Sequence, residues 1–149
     1  MKLYLLRHGL ADWPDWKRPD DERPLTKEGK KKMRRMAKLL RKLSVRPALI
    51  LSSPLPRAWQ TAEIAAEFLE VELQQERDLG PGFNIARLRK MIGRHDGDDL
   101  MLVGHEPDFS GVIRALTDGE VKLAKGGIAR IDLAEGTERG RLVWLMPPG

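Results

Sequence analysis

The sequence predicts an α/β protein: a three-layer α/β/α arrangement with a mostly parallel central sheet, closed by an antiparallel pair of strands in its C-terminal part. Three observations predict it. Short apolar runs at 2–6, 48–51 and 100–103 have the length and composition of strands buried on both faces. Segments of helical periodicity alternate with these runs over the first two-thirds of the chain, which is the pattern of a sheet covered by helices on both sides. The pattern then changes to two alternating segments, 128–133 and 141–146, separated by a Gly-containing turn.

At 149 residues the chain is expected to form one domain, residues 1–149. A chain of this size buries roughly 68–70% of its unfolded surface, enough for a substantial core. The absence of cysteine excludes disulfides, thiolate zinc sites and cysteine nucleophiles. No apolar run approaches the ~18–20 residues of a membrane span, and Arg7-His8 interrupts the N-terminal apolar run before it reaches the length of a signal peptide. A soluble cytoplasmic protein is the expectation. The net charge of +5 and pI near 9.7 favour anionic ligands. Basic residues interleaved with aromatics, as used to stack bases, are missing, so nucleic acid is not expected as a partner.

In chain order, the first apolar run, 2–6, ends abruptly in Arg7-His8-Gly9. A strand buried on both faces has no cheap place for unpaired polar groups, so this triplet is expected to emerge at the strand's carboxyl end. Residues 12–24 carry three prolines and many charges and read as an irregular loop. Its Trp13 and Trp16 either pin the loop to the body, form a lip over a site, or meet a partner protein. Thr26 is the expected N-cap of a helix; Gly29, three positions on, leaves its capping box incomplete. Met33, Met36, Ala37, Leu40 and Leu43 define the buried stripe of that helix. Nine lysines and arginines between 27 and 42 cover the rest, as a solvated face or, alternatively, a surface for an acidic partner or nucleic acid.

The second strand, 48–51, ends in Ser52-Ser53-Pro54, and a helix over 55–69 follows with Ala58, Ala62, Ala65 and Leu69 inward. Proline suits its first turn, and Arg57 in that turn lies near the carboxyl edge of the sheet, where helix N-termini also favour anions. A third strand at 71–75, a loop at 78–82, and a helix over 85–92 with Leu88, Met91 and Ile92 inward come next. The clearest buried strand, 100–103, ends in Gly104-His105-Glu106-Pro107, and a helix over 108–116 follows.

Arg7, His8, Arg57 and His105 thus converge on one sheet edge if the three strands are parallel neighbours. His95, in a turn, reads as structural. Guanidinium forks bind phosphate oxygens through paired, charge-assisted bonds. A neutral imidazole is a competent nucleophile at phosphorus, and a second, cationic one would stabilise charge on the equatorial oxygens. Metal binding is the rival use of His8 and His105, disfavoured by two neighbouring arginines and by a lack of carboxylates other than Glu106.

These residues also carry a resemblance. Arg7-His8-Gly9, Leu25-Thr26-x-x-Gly29, Ser52-Ser53-Pro54-x-x-Arg57-Ala58-x-x-Thr61-Ala62 and Val103-Gly104-His105 resemble the histidine phosphatase superfamily, with its phosphoglycerate mutase-like fold. The short chain, Asp78-Leu79-x-Pro81-Gly82, Gly104-His105-Glu106-Pro107 and Gly126-Gly127-Ile128-Ala129 are similar to the SixA-type phosphohistidine phosphatases. The resemblance implies that His8 accepts the phosphoryl group and that Arg7, Arg57 and His105 form the phosphate pocket, with no metal and no cofactor. It further implies a phosphohistidine-bearing protein or a small phosphate ester as the partner. Leu10 departs from the polar residue many relatives carry after Arg-His-Gly. For a general acid, Asp78 is the nearest match by position and Glu106 the second candidate. A phosphohistidine substrate can dispense with a strong acid, because its imidazole leaving group can already be protonated. The alternatives are a general phosphomonoesterase acting on metabolites and a catalytically silent phosphate-binding or protein-binding module.

Overall fold

A computed structural model describes residues 1–134 and 139–148. The six strands are β1 (Lys2–Arg7), β2 (Leu49–Ser52), β3 (Leu73–Gln75), β4 (Leu100–Gly104), β5 (Ile128–Leu133) and β6 (Gly140–Met146). The four α-helices of the described residues are α1 (Lys27–Lys42), α2 (Pro56–Leu69), α3 (Ile85–Gly93) and α4 (Asp108–Thr117). The strands form one mixed sheet in the order β3-β2-β4-β1-β5-β6. β3, β2, β4 and β1 run parallel, whereas β5 pairs antiparallel with both β1 and β6. The expected turn between β5 and β6 falls largely on 135–138, outside the described residues.

Alternation along β1 divides the core. Leu3 and Leu5 face a cluster containing Leu88, Met91, Phe109 and Ile113 from α3 and α4. Tyr4 and Leu6 face Met33, Met36 and Leu40 of α1 and Ala58 and Ala62 of α2. β4 lies at the centre of the parallel strands with all five residues buried, which explains its unbroken apolar run. No helix of the described residues is long and apolar enough to cross a membrane.

One expected core position moves. Leu43 is 51% exposed, because α1 ends at Lys42 and the chain turns there. Ser44 adopts φ 58°, its N–H donates to Arg41 O, and the Val45 N–H donates to Leu40 O at 3.0 Å. This reciprocal pair closes the helix end and carries Val45, not Leu43, into the core beside Leu40.

The start of α1 shows why the capping box is incomplete. Thr26 Oγ1 accepts from the Gly29 N–H at 3.0 Å, as an N-cap should. A side chain at position 29 would collide with the Leu10 carbonyl oxygen. That carbonyl in turn accepts from the Thr26 N–H at 3.0 Å. Glycine therefore lets α1 seat directly on the segment that follows His8. Gly29→Ala should destabilise the fold by about 1–3 kcal/mol, the usual range for overpacking, despite alanine's better helix propensity. Urea unfolding checks this; a more stable variant would contradict the close approach.

Candidate active site

Sheet register brings the three strand ends to one level. Arg7 of β1 pairs with Gly104 of β4, and Ser52 of β2 pairs with Val103. Just beyond, the His8 N–H donates to Gly104 O at 3.1 Å and the Ser53 N–H to Val103 O at 3.0 Å. Leu55, the N-cap of α2, donates its N–H to Ser53 Oγ, and Pro56 opens the helix, which sets Arg57 in the first turn. Arg7, His8, Arg57 and His105 all line one cavity of about 350 Å³. His8, Arg57 and His105 retain 7%, 7% and 5% of their accessible surface, so the groups reach a ligand only through this cavity.

The His8 ring is held from one side. Its Nδ1 lies 2.8 Å from Gly9 O, so Nδ1 carries the proton and donates, which leaves the lone pair on Nε2. The Gly9 N–H donates to Thr61 Oγ1 at 3.0 Å, and the Thr61 hydroxyl donates to Arg57 O at 2.7 Å. The His8 carbonyl accepts from Gly126, which needs glycine for its φ of +81°. The His105 ring stands 5.4 Å from that of His8, centroid to centroid. Its Nε2 is 2.8 Å from Ser53 Oγ. Because Ser53 Oγ already accepts from Leu55, its hydroxyl hydrogen is available to His105 Nε2. The other ring nitrogen, Nδ1, is buried without a partner among the described residues.

Each arginine is braced by other segments. Arg7 Nη1 donates to Leu123 O at 2.9 Å, and the Leu123 N–H donates to Glu106 Oε2 at 3.1 Å. Glu106 also accepts from the N–H and the hydroxyl of Ser110 in α4. Arg57 Nη1 donates to Asp20 O at 3.1 Å, and the Asp20 carboxylate lies 3.9 Å from Arg57 Nη2 and 2.8 Å from Arg23 Nε. Across the mouth, Lys125 Nζ donates to both oxygens of Asp12, at 2.7 and 2.8 Å.

Burial without a carboxylate partner keeps both histidines neutral. Desolvation pulls the His8 pKa down to about 3, aided by His105, Arg57 and Arg7 and opposed by the bond to Gly9 O. Desolvation, with Arg57 and Arg7, lowers His105 to about 4. Beside two guanidiniums a third and fourth positive charge are unfavourable, so His105 takes the cationic form considered from the sequence only when negative charge is brought beside it. Burial lowers both arginines as well, opposed by Glu106 and Asp12 at Arg7 and most of all by Asp20 at Arg57.

Of the two carboxyls considered as acids, Glu106 lines the cavity and Asp78 does not. Asp78 sits in a short 3-10 turn, Arg77–Leu79, with its N–H donating to Glu76 Oε1. Neither tryptophan lines the cavity either. Trp13 donates to Pro24 O and Trp16 to Pro19 O, and the rings stand 6.2 Å apart, so they fasten the loop 12–24 to itself. That loop nevertheless reaches the cavity, through Asp12, Asp20, Asp21 and Arg23. Sequence reasoning missed these residues and Lys125, since charges in a loop carry no periodic signal. Thr61 was readable only as part of the motif around Arg57. Among the described residues, no group of three or more His, Asp or Glu side chains is placed to hold a metal ion.

A model of the histidine phosphatase superfamily (branch 1) matches residues 3–80, just over half of the chain. An uncharacterised protein of the cyanobacterium Picosynechococcus is 38% identical over 149 residues, covering 93% of this chain and 88% of that protein. The protein histidine phosphatase SixA, solved with tungstate, superposes with a TM-score of 0.89 at 26% identity, over 99% of this chain and 97% of that one. A mycobacterial glucosyl-3-phosphoglycerate phosphatase shares the fold at a TM-score of 0.74 and 18% identity, over 95% of this chain and 96% of its own. With Arg7, His8, Arg57 and His105 gathered around one cavity, the chain belongs to the histidine phosphatase superfamily and is of the SixA type.

Proposed function

We propose that the chain hydrolyses phosphohistidine on proteins through a covalent phospho-His8 intermediate, and that it does so without a metal. The observation that carries this reading is the 2.8 Å bond from His8 Nδ1 to Gly9 O, which leaves Nε2 unprotonated inside a cavity lined by two guanidiniums.

In the first step His8 Nε2 attacks phosphorus and the bond from phosphorus to the leaving nitrogen breaks, its electron pair staying with the departing imidazole. Arg7 and Arg57 bind the phosphoryl oxygens, supplying the positive charge that a cation would otherwise bring. His105, at the wall of the same cavity, adds positive charge near the phosphoryl oxygens when it is protonated. The arriving dianion favours its protonated form by attraction, offsetting the repulsion from the arginines. In the second step water attacks the phosphorus carried on His8, the Nε2–P bond breaks with its electron pair returning to Nε2, and both water protons leave with the product as dihydrogen phosphate, which restores neutral His8. Glu106 braces Arg7 through Leu123 with both oxygens already accepting from donors of its own chain. With Glu106 so engaged and Asp78 away from the cavity, a leaving group that needs little acid assistance suits this site. The presence of Glu106 at the cavity wall favours a second reading, hydrolysis of small phosphate esters. Comparing kcat/KM on a phosphohistidine peptide and on sugar phosphates separates the two; a clear preference for the sugars would overturn the first.

His8→Ala should lower turnover by about 10³-fold or more while the far-ultraviolet circular dichroism is retained. Substantial activity of this variant in the presence of a chelator would remove the covalent step. Arg57→Ala deletes a charged donor worth about 1.5–3 kcal/mol, so vanadate affinity should fall by roughly 10- to 100-fold; unchanged affinity would place Arg57 outside the phosphate contacts.

The pH behaviour has a definite sign. Both histidine pKa values lie below the ordinary 6.5 in the folded chain, so the unfolded chain binds more protons below that pH. Stability contributed by neutral burial is complete above about pH 6.5 and is lost on acidification towards the folded values. In NMR spectra of the ligand-free protein, the His8 and His105 rings should keep neutral-imidazole shifts down to about pH 5. A midpoint near 6.5 for either ring would contradict the burial argument.

A further inference from the structure

Arg7 also lines a second cavity, of about 510 Å³, whose walls do not include Arg57. Its charged walls are Arg7, Lys32, Lys122 and Lys125, with no carboxylate among the lining residues. The phosphate cavity is different: there Asp12, Asp20, Asp21, Glu106 and Asp108 stand among the cations. The two cavities share Arg7 and Lys125, so they adjoin. Lys125 is satisfied by Asp12 and Lys32 by Glu28 at 3.4 Å, both from outside the second cavity. Lys122 is exposed and has no carboxylate partner among the described residues. Arg7 and Lys122 are in no ion pair among the described residues, and two such cations at one hollow attract an anion more strongly than either does alone.

The rest of the lining narrows the chemistry. Leu10, Ala124 and Pro148 supply an apolar wall. Arg7 supplies the one guanidinium fork among the lining residues and already lines the phosphate cavity, so what the second cavity adds is three lysines, point charges on flexible stems. A carboxylate on a short aliphatic stem fits both features: methylenes against Leu10 and Pro148, oxygens among the ammonium groups. Leu10, the departure from the resemblance noted above, contributes wall here instead of a polar contact.

We propose that this cavity is a subsite for a second anionic group of the substrate, the carboxylate of an Asp or Glu side chain flanking the phosphohistidine. The proposal rests on the phosphatase reading above and specifies which phosphoproteins it prefers.

The test uses phosphohistidine peptides differing only in Glu or Gln at either flanking position. With the unaltered protein, KM for one Glu peptide should be lower by about 5-fold, and the gap should shrink as salt is raised. The double variant Lys32→Ala/Lys122→Ala should abolish the gap, and Lys122→Glu should reverse it, while kcat on the Gln peptides stays unchanged. Equal KM values for Glu and Gln peptides, or a gap that survives both variants, would overturn the subsite and leave the phosphatase reading standing. A parallel arm compares an aryl phosphate bearing a carboxymethyl group with its amide. If no phosphohistidine peptide is turned over, the reading of the substrate fails, and the aryl pair alone decides the subsite: a lysine-dependent preference for the acid supports it, and none overturns it.

Discussion

The bond from His8 Nδ1 to the Gly9 carbonyl decides which ring nitrogen is free, and much of the chain holds that carbonyl in place. Gly9 is fixed from the other side of its own residue, by Thr61 accepting from its N–H. Thr61 is fixed by donating to Arg57 O one turn earlier, so α2 positions Arg57 and the backbone beside His8 together. The next residue, Leu10, is clamped by Thr26 and abutted by Gly29, which ties α1 to the same segment. Two helices packed on one face of the sheet thereby set the orientation of a single imidazole. Such support by residues remote from the reacting atom is what lets a site stay organised before its ligand arrives.

Charge is distributed by the same economy. Two neutral histidines between two arginines cost less than four cations, and burial enforces that neutrality. The arginines, which stay charged, lean on Asp20 and, through Leu123, on Glu106. The two braces differ. Glu106 is tied on both oxygens to α4 and to Leu123, whereas Asp20 belongs to the loop 12–24 and stands 3.9 Å from Arg57. On the proposed reading, an incoming phosphoryl group competes at Arg57 with a carboxylate that Arg23 also holds, at 2.8 Å, and meets at Arg7 a guanidinium with no ion pair among the described residues.

How much of this was legible follows from what carries a signal along the chain. Buried strands announce themselves as apolar runs, and their polar ends announced Arg7, His8 and His105, because nothing in the interior could accommodate those groups. Arg57 was legible for the companion reason that a proline-led helix start follows a strand end. Leu43 misled because periodicity describes a helix that continues, whereas the turn through Ser44 substitutes Val45 for it. Gly29 read as a defect of capping and is a requirement of packing, set by a residue nineteen positions earlier. Asp78 was the nearest match by position within the resemblance, but its 3-10 turn leaves it off the cavity wall. Contacts such as Lys125 with Asp12 join residues 113 positions apart, and no local pattern encodes them.

That division between local and distant contacts bears on specificity. The groups proposed to handle phosphorus come from strand ends and a helix start, where register fixes them to within a hydrogen bond. The groups that surround them, Asp12, Asp20, Arg23, Lys122 and Lys125, come from loops before α1 and before β5. Loops vary without disturbing the sheet, so the same four central residues can serve different phosphorylated molecules by changing what stands at the rim. In this chain the rim carries Asp20 and Asp21 in the cavity shared with Arg57, and Lys32, Lys122 and Lys125 in the adjoining one. On the proposed reading an anionic substrate would be steered asymmetrically: its phosphoryl group would compete with carboxylates on one flank, while a second negative charge would be attracted to the other.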